Sequence, residues 1–393
     1  MRVLIVGAGI AGPTLAYWLW RAGHQPTIVE HAPRLRQGGY LVDFWGSGFD
    51  VADRMGIVPR LMAEGYRVHE LREVSGNGRR ISHLDPRKII GGAGGRYVSI
   101  GRSDLAAAIY DALNGEVETI FGDTVQSLND DGGRVRVEFA RGVPREFDLV
   151  VGADGLHSRI RSLAFGPEQE FERYLGITVA AFEVDDYSPR DELVAVTHTE
   201  VGVQALRFSQ RDGGTMFCFT FRYDGEVPVE DADAQQELLR ARLGGVGWEV
   251  PAILQQMPGA RSFYLDRASQ IRMPTWWRGR VALIGDAVAC PSLLAGQGSA
   301  LAMVEAYVLA AELQRSGGNC PAAFAAYERQ LAPLVSAKQD AAIGLGAAFA
   351  PRNRLQLLLR NAVLGLMGIP MVARLAMGRS LRDPIELPPP PAP

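Results

Sequence analysis

The chain has 393 residues, with 41 Lys plus Arg against 44 Asp plus Glu and a formal net charge of −3. That balance argues against a nucleic-acid binder, which would carry a basic footprint. The apolar share, 47%, is that of a globular protein long enough to bury a core without staples. Cys218, Cys290 and Cys320 form no CxxC pair, and the histidines show no HxxxH or HExxH spacing. Reduced thiols, a cytoplasmic setting and no metal site are expected.

In chain order, Arg2–Val6 is a short, β-branched apolar run, as expected of a strand buried on both faces. Gly7 to Gly12 follows, then a helix from about Pro13 to Ala22 stopped by Gly23, and a second strand over Thr27–Glu30. This is a βαβ unit, a better account of the apolar start than a signal peptide. Gly38, Gly39, Gly46 and Gly48 predict a loop around YLVDFW, and Asp50–Met62 a helix. Val68–Leu84 alternates about a Gly-Asn-Gly turn, a hairpin signal. A helix is predicted over Asp104–Leu113, then strands over Thr124–Leu128 and Arg134–Phe139.

From Ile177 to Tyr264 strand-like runs alternate with Asp-Gly and Gly-Gly turns: Leu193–Thr199, Gly202–Ser209 and Thr215–Tyr223. This predicts an antiparallel sheet inserted into an α/β frame, with one helix at Asp231–Leu243. Arg280–Ile284 is again a buried-strand pattern; Gly298–Leu313 and Ala322–Leu331 are helical. Asn361–Ala373 is apolar but bracketed by Arg360 and Arg374 and interrupted by Pro370. It is shorter than the roughly 20 residues of a membrane span. It reads as a core-packing helix, with a peripheral membrane contact as the alternative. The tail PPPPAP reads as loose.

Three constellations carry chemistry. Gly7-Ala8-Gly9-Ile10-Ala11-Gly12 matches GxGxxG after a buried strand and before a helix. Its glycines serve a tight turn, the approach of a pyrophosphate and helix–strand packing, and the helix N-terminus faces the phosphates. Glu30 ends the second strand, where a carboxylate accepts hydrogen bonds from a ribose diol. This motif alone leaves NAD and FAD both open. The second constellation is Asp148 to Gly155, ending Gly152-Ala-Asp154-Gly155 and followed by Ser158 and Arg161. The third is Gly285-Asp286 after a strand, then Gly296-Gln297-Gly298 opening a long helix. An Asp there suits a ribityl hydroxyl, and a helix N-terminus suits the anionic ring of a reduced flavin.

In this order and spacing the three constellations resemble the single-component, group A FAD-dependent aromatic monooxygenases of the p-hydroxybenzoate hydroxylase family. GAGIAG at 7–12, Glu30, Arg102–Leu105, GADG at 152–155, IGDA at 284–287 and AGQG at 295–298 carry it. The stretch from Gly38 to Gly48 resembles the tetracycline-modifying branch. The resemblance implies a Rossmann-like FAD-binding domain with an inserted antiparallel-sheet substrate domain and a C-terminal helical segment. The FAD-binding parts are 1–66, 101–172 and 271–318. The substrate parts are 67–100 and 173–270, with helices and a Pro-rich tail over 319–393.

The resemblance also implies non-covalent FAD, with NADPH or NADH as transient reductant. Gly7, Gly9 and Gly12 would cradle the pyrophosphate, Glu30 the ribose, and Arg102 the phosphate or ribityl region. Val125 would meet the adenine, and Asp154 and Gly155 would serve FAD and NAD(P)H. Asp286 would bind the ribityl chain, and Gly296, Gln297 and Gly298 would lie under the ring. The implied reaction takes dioxygen and hydroxylates an aromatic or polycyclic small molecule through a flavin hydroperoxide. No side chain is assigned as catalytic, because the chemistry centres on the flavin. After GDA the family continues with Ala-His and a Pro-Pro pair, whereas here the chain reads Val288-Ala289-Cys290-Pro291-Ser292-Leu293. That departure leaves open a second reading, a flavin dehydrogenase, reductase or oxidase on the same scaffold. Pocket candidates are Tyr97, His198, Arg207, Phe208, Met216 and Phe217, although a strand always carries such residues on one face or the other.

Overall fold

The computed structural model describes residues 1–36, 38, 40–86, 96–211, 213–228, 231–367 and 385–391. β1 (Arg2–Val6) is buried except at Arg2; it leads to α1 (Ala11–Arg21), and β2 (Gln25–Glu30) returns parallel to it. Next come β3 (Leu41–Trp45), α2 (Ser47–Arg54), α3 (Val58–Glu64) and the hairpin β4 (Glu70–Val74) and β5 (Arg80–Leu84). β6 (Tyr97–Gly101) pairs with β3 and runs straight into α4 (Arg102–Asp111). β7 (Glu118–Phe121) is followed by a meander of β8 (Val125–Asp130), β9 (Val135–Phe139) and β10 (Arg145–Phe147). Then come β11 (Leu149–Gly152) and α5 (Arg159–Ala164). The second half begins with β12 (Glu172–Asp185), β13 (Val194–Glu200), β14 (Val203–Ser209) and β15 (Gly214–Phe221). It continues with α6 (Ala232–Leu243), α7 (Val250–Gln256), β16 (Ser262–Ile271), β17 (Trp277–Arg278), β18 (Val281–Leu283) and α8 (Asp286–Ala289). It ends with α9 (Gly298–Arg315), α10 (Cys320–Phe349) and α11 (Arg354–Met367).

Two large sheets organise these elements. The first has the order β17-β18-β11-β1-β2-β7 and is parallel apart from β17. Its central strands are apolar throughout because helices such as α1 and α9 cover them, as parallel sheets require. The second has the order β16-β12-β15-β14-β13-β4-β5 and is antiparallel except where β13 meets β4. One face is covered by α6 and α7, in a core containing Phe182, Phe217, Phe219, Leu239 and Ile253.

Several local expectations change in three dimensions. The loop expected around YLVDFW contains strand β3, because Phe44 fills a core slot and β6 supplies a ladder. The helix expected over Asp50–Met62 is two helices, parted where Gly56 takes a left-handed φ of +75°. The helix expected at Ala322–Leu331 runs 30 residues, past Pro333. Its buried Gln339 explains the extension: the side-chain amide donates to the carbonyls of Ile271 (2.7 Å) and Cys290 (3.2 Å).

The Pro-rich end is docked at its first residue, Pro388, rather than loose there. The Pro388 carbonyl accepts from Arg54 (2.7 Å) and from the Tyr307 hydroxyl (2.6 Å), since proline lacks a donor but keeps its acceptor. The apolar stretch expected to pack in the core over Asn361–Ala373 is described only as far as Met367, and there it forms α11 with an exposed apolar face. No helix among the described residues is long and apolar enough to cross a membrane.

Candidate functional site

Parallel strands end at one edge, and this places the three constellations side by side. β1, β11 and β18 are neighbours in the first sheet, although about 280 residues separate the outer two in sequence. The glycine loop leaves β1 at Gly7, whose φ is +109° and whose N–H donates to Val29. A Cβ on Gly7 would lie 2.5 Å from the Ala153 carbonyl oxygen, so the first and second constellations touch. A Cβ on Gly12 would lie 2.0 Å from the Gly7 carbonyl oxygen, whereas nothing lies within 4 Å of one on Gly9. The outer glycines let the chain pack on itself, and the middle one faces open space. No side chain caps α1 and no acid occupies its first turn. Glu30 is buried and accepts from the N–H of Ala8 (2.8 Å) and of Ala32 (2.9 Å). Oε1 also lies 3.0 Å from His31 Nδ1, whereas Oε2 keeps a lone pair for a further donor.

The second loop is braced internally. Asp154 accepts from the Ser158 hydroxyl (2.5 Å) and the Ile160 N–H (3.0 Å), and burial raises its pKa. Gly155 has a positive φ and open space beside it. Ser158 caps α5, and the wholly buried Arg161 donates to the carbonyls of Ala287 (2.9 Å) and Leu156 (2.6 Å) and to Glu168 (2.6 Å). Arg161 thus ties the second loop to the third. Val125 is buried, and its carbonyl already accepts from Arg159.

In the third constellation, Asp286 opens α8 and lies beside the Cys290 thiol, which burial pushes well above its ordinary pKa. Gly296 has a left-handed φ and nothing within 4 Å of its would-be Cβ, and a Cβ on Gly298 would meet Asp286 Oδ1 at 3.5 Å. Gln297 precedes α9 without making a side-chain cap. Glu305, wholly buried on α9, accepts from the Gly285 N–H, and burial holds its carboxyl well above the usual range. Sequence reading passed over Glu305, although an acid inside the apolar stretch Ala300–Ala311 is a visible signal.

Arg102 stands between the third constellation and the seven-stranded sheet. Its backbone N–H donates to the Tyr40 carbonyl (3.1 Å), and among the described residues its guanidinium has no hydrogen-bond or ion-pair partner. Its pKa is raised, first by Tyr40, then by Asp286, Tyr264 and Cys290. Tyr40 packs on Tyr264 with ring centroids 5.4 Å apart, and burial raises the pKa of both phenols. Tyr40 and Tyr264 carry no motif, and sequence reading missed them.

The sheet partners sort the pocket candidates by face. Phe208 lies opposite Met216, and Arg207 opposite Phe217, so each adjacent pair splits between the two faces. Phe208 and Met216 pack with Tyr40, Leu41 and Tyr66 on the face toward Arg102. Phe217 lies under α6 and α7 on the other face. Arg207 is also there, donating to the Pro189 carbonyl and to Asp191 (3.1 Å), beside an outer cavity of about 730 Å³ walled by Trp248. His198 shares that face, bonded to the Val74 carbonyl and Glu200. These three therefore stand apart from the convergent loops, because an odd step along a strand reverses the side chain. Tyr97 lies on the β3–β6 ribbon, its hydroxyl bonded to Asp43 (2.6 Å) and Ser99 (2.7 Å).

Residues 1–340 match the FAD binding domain family. A flavin-dependent monooxygenase from an unknown prokaryotic organism is 34% identical over 373 residues, covering 93% of this chain and 96% of that protein. This chain belongs to the FAD-dependent monooxygenases. An uncharacterised protein of Mycobacterium tuberculosis is 37% identical over 340 residues, 86% of this chain and 91% of its own. The crystal structure of the tetracycline destructase Tet(55) superposes with a TM-score of 0.83 at 31% identity, covering 98% of both chains. Klebsiella pneumoniae HpxO, solved with FAD and uric acid, has the same fold, with a TM-score of 0.82 at 22% identity over 98% of each chain. The site suits FAD, the cofactor of this monooxygenase. Gly9 leaves room at an uncapped helix, the Arg102 guanidinium has no partner among the described residues, and α9 presents a second uncapped N-terminus.

Proposed function

We propose that this monooxygenase uses NAD(P)H and dioxygen to hydroxylate an aromatic or polycyclic small molecule in the cytoplasm. The observation that carries the reading is the convergence of the three loops beside an Arg102 guanidinium with no partner among the described residues, facing an aromatic sheet face. In this reading the cofactor lies across segments 1–66, 101–172 and 271–318. Gly9 and the α1 N-terminus hold its pyrophosphate, Glu30 the ribose, and Asp286 and Arg102 the ribityl and phosphate groups. Gly296 and the α9 N-terminus support the ring. Asp154 acts through its loop, since its oxygens already serve Ser158 and Ile160. When bound, FAD supplies the redox chemistry, taking electrons from NAD(P)H and activating dioxygen.

The side chains position and shield. Phe208 and Met216, with Tyr40 and Tyr66, make an apolar wall against which a flat substrate stacks and from which water is excluded. The name of the tetracycline destructase at 31% identity supports a polycyclic substrate. The free thiols of Cys218, Cys290 and Cys320 fit a reducing compartment. The test is a panel of phenolic and polycyclic compounds with NADPH or NADH under labelled dioxygen. Incorporation of one labelled oxygen atom into product, dependent on the reduced nicotinamide, is expected. NAD(P)H oxidation that never labels any product sinks the hydroxylase reading.

A further inference from the structure

An ordinary surface helix turns its apolar stripe to the core and its charges to water. α11 does the reverse. Leu355, Leu358, Leu359, Val363 and Leu366 are 54–66% exposed. At about 100° per residue they occupy an arc of about 140° along the outer side of the helix. On the inner side, Arg360 pairs with the buried Glu73 (3.0 Å) and donates to the Ala348 carbonyl (2.6 Å). The helix therefore spends its polar contact on the protein and leaves leucines outside. Such a continuous exposed apolar stripe marks an interaction surface.

Charge identifies the occupant. From Ala341 to Met367 the chain has arginines at 352, 354 and 360 and no Asp, Glu or Lys, although the whole chain is at −3. Arg352 and Arg354, at the start of α11, have no ion pair among the described residues. A second copy of the chain would bring the same arginines to a symmetric contact, and like charges would oppose it. An anionic lipid surface offers the complement to both features: headgroups for the arginines and acyl chains for the leucines. The 14 described residues of α11 are too few to span, and they would lie in the plane of the interface. We propose that the outward face of α11 docks this enzyme on an anionic membrane surface.

The test uses the full-length, FAD-loaded protein and sedimentation with two kinds of vesicle. One is pure phosphatidylcholine; the other contains about a third phosphatidylglycerol. Co-sedimentation with the anionic vesicles only is expected, and it is lost at about 0.5 M salt. Leu358→Gln/Leu359→Gln/Val363→Gln lowers the partition at least about tenfold while bound flavin stays unchanged. If that variant does not fold, a polarity-sensitive dye on Leu359→Cys decides instead. A blue shift with anionic vesicles supports docking, and no shift overturns it. The proposal also fails if the parent ignores anionic vesicles, or if the triple variant binds as well as the parent. A parent dimer that the triple variant dissolves likewise overturns it, since a second copy then covers the face.

Discussion

The two large sheets build their share of the site in different ways. In the parallel sheet the candidate cofactor groups sit at strand ends, where backbone N–H groups, glycines and helix termini converge at one edge. In the seven-stranded sheet the candidate pocket residues sit on a face, which only alternate side chains share. A strand-end site needs particular residues at particular steps, so it leaves a pattern in the sequence. A face needs only bulk and polarity, and a shift of one residue moves the whole set to the other side.

The largest expected effect tests the face assignment. Phe217 is fully buried, with Tyr187 at 4.9 Å and Phe182 at 5.2 Å between ring centroids. Phe217→Ala should lower stability by about 3–5 kcal/mol in denaturant unfolding and leave the KM of the folded enzyme unchanged. Met216→Ala, one residue along, should also cost stability, about 2–5 kcal/mol. Only Met216→Ala should raise KM and reduce product formed per NAD(P)H consumed. Equal kinetic effects would mean that the two faces are not separated as described.

Next comes a contrast within the glycine loop. Gly12→Ala forces a Cβ onto the Gly7 carbonyl and should cost about 3 kcal/mol of stability even without cofactor. Gly9→Ala meets no protein atom, so the apoprotein should melt as the parent does while FAD binding weakens. Melting curves with and without added FAD separate the two. If Gly9→Ala destabilises the apoprotein as much as Gly12→Ala, the open space at Gly9 is not a ligand's.

The same contrast explains what could be read from residues alone. The βαβ unit, the hairpin and the three loops were readable because Gly7, Gly12 and Gly285 answer to backbone constraints local in sequence. The choices between 207 and 208 and between 216 and 217 depend on which face is covered by α6 and α7, a tertiary fact. Tyr40 and Tyr264 meet only because distant segments converge. The proline tail reads as loose for the same reason: the donors to its Pro388 carbonyl, Arg54 and Tyr307, are more than eighty residues away. Glu305 differs, since a carboxylate in an apolar helix was there to be noticed.

A smaller effect is expected where the two sheets share a residue. The Arg102 guanidinium has no partner among the described residues and faces Asp286 from the third loop and Tyr264 from the seven-stranded sheet. Arg102→Met should weaken FAD binding by about 1.5–3 kcal/mol, the usual loss of a hydrogen bond to a charged group. Equilibrium dialysis measures it. Unchanged affinity would remove Arg102 from the cofactor site and leave it a half-buried packing residue.

The smallest expected effect concerns a clamp between the two regions. His157, in the loop after Asp154-Gly155, lies 3.4 Å from Asp266 on β16 and 2.9 Å from Glu168. Its pKa is pushed from 6.5 up to about 10, first by Asp266 and then by Glu168. A raised folded-state pKa means that folding favours the protonated ring. The stabilisation is complete below pH 6.5 and is lost as pH rises through about 10. The ring is half exposed, so solvent screening holds the contribution to below about 1 kcal/mol. Parent and His157→Gln should therefore differ most near pH 6 and converge above pH 10 in urea midpoints, and added salt should shrink the gap at pH 6. Other titrating groups largely cancel in that difference because both proteins share them. A gap that persists above pH 10 would mean that His157 joins the two regions by packing, and the electrostatic clamp would have to be given up.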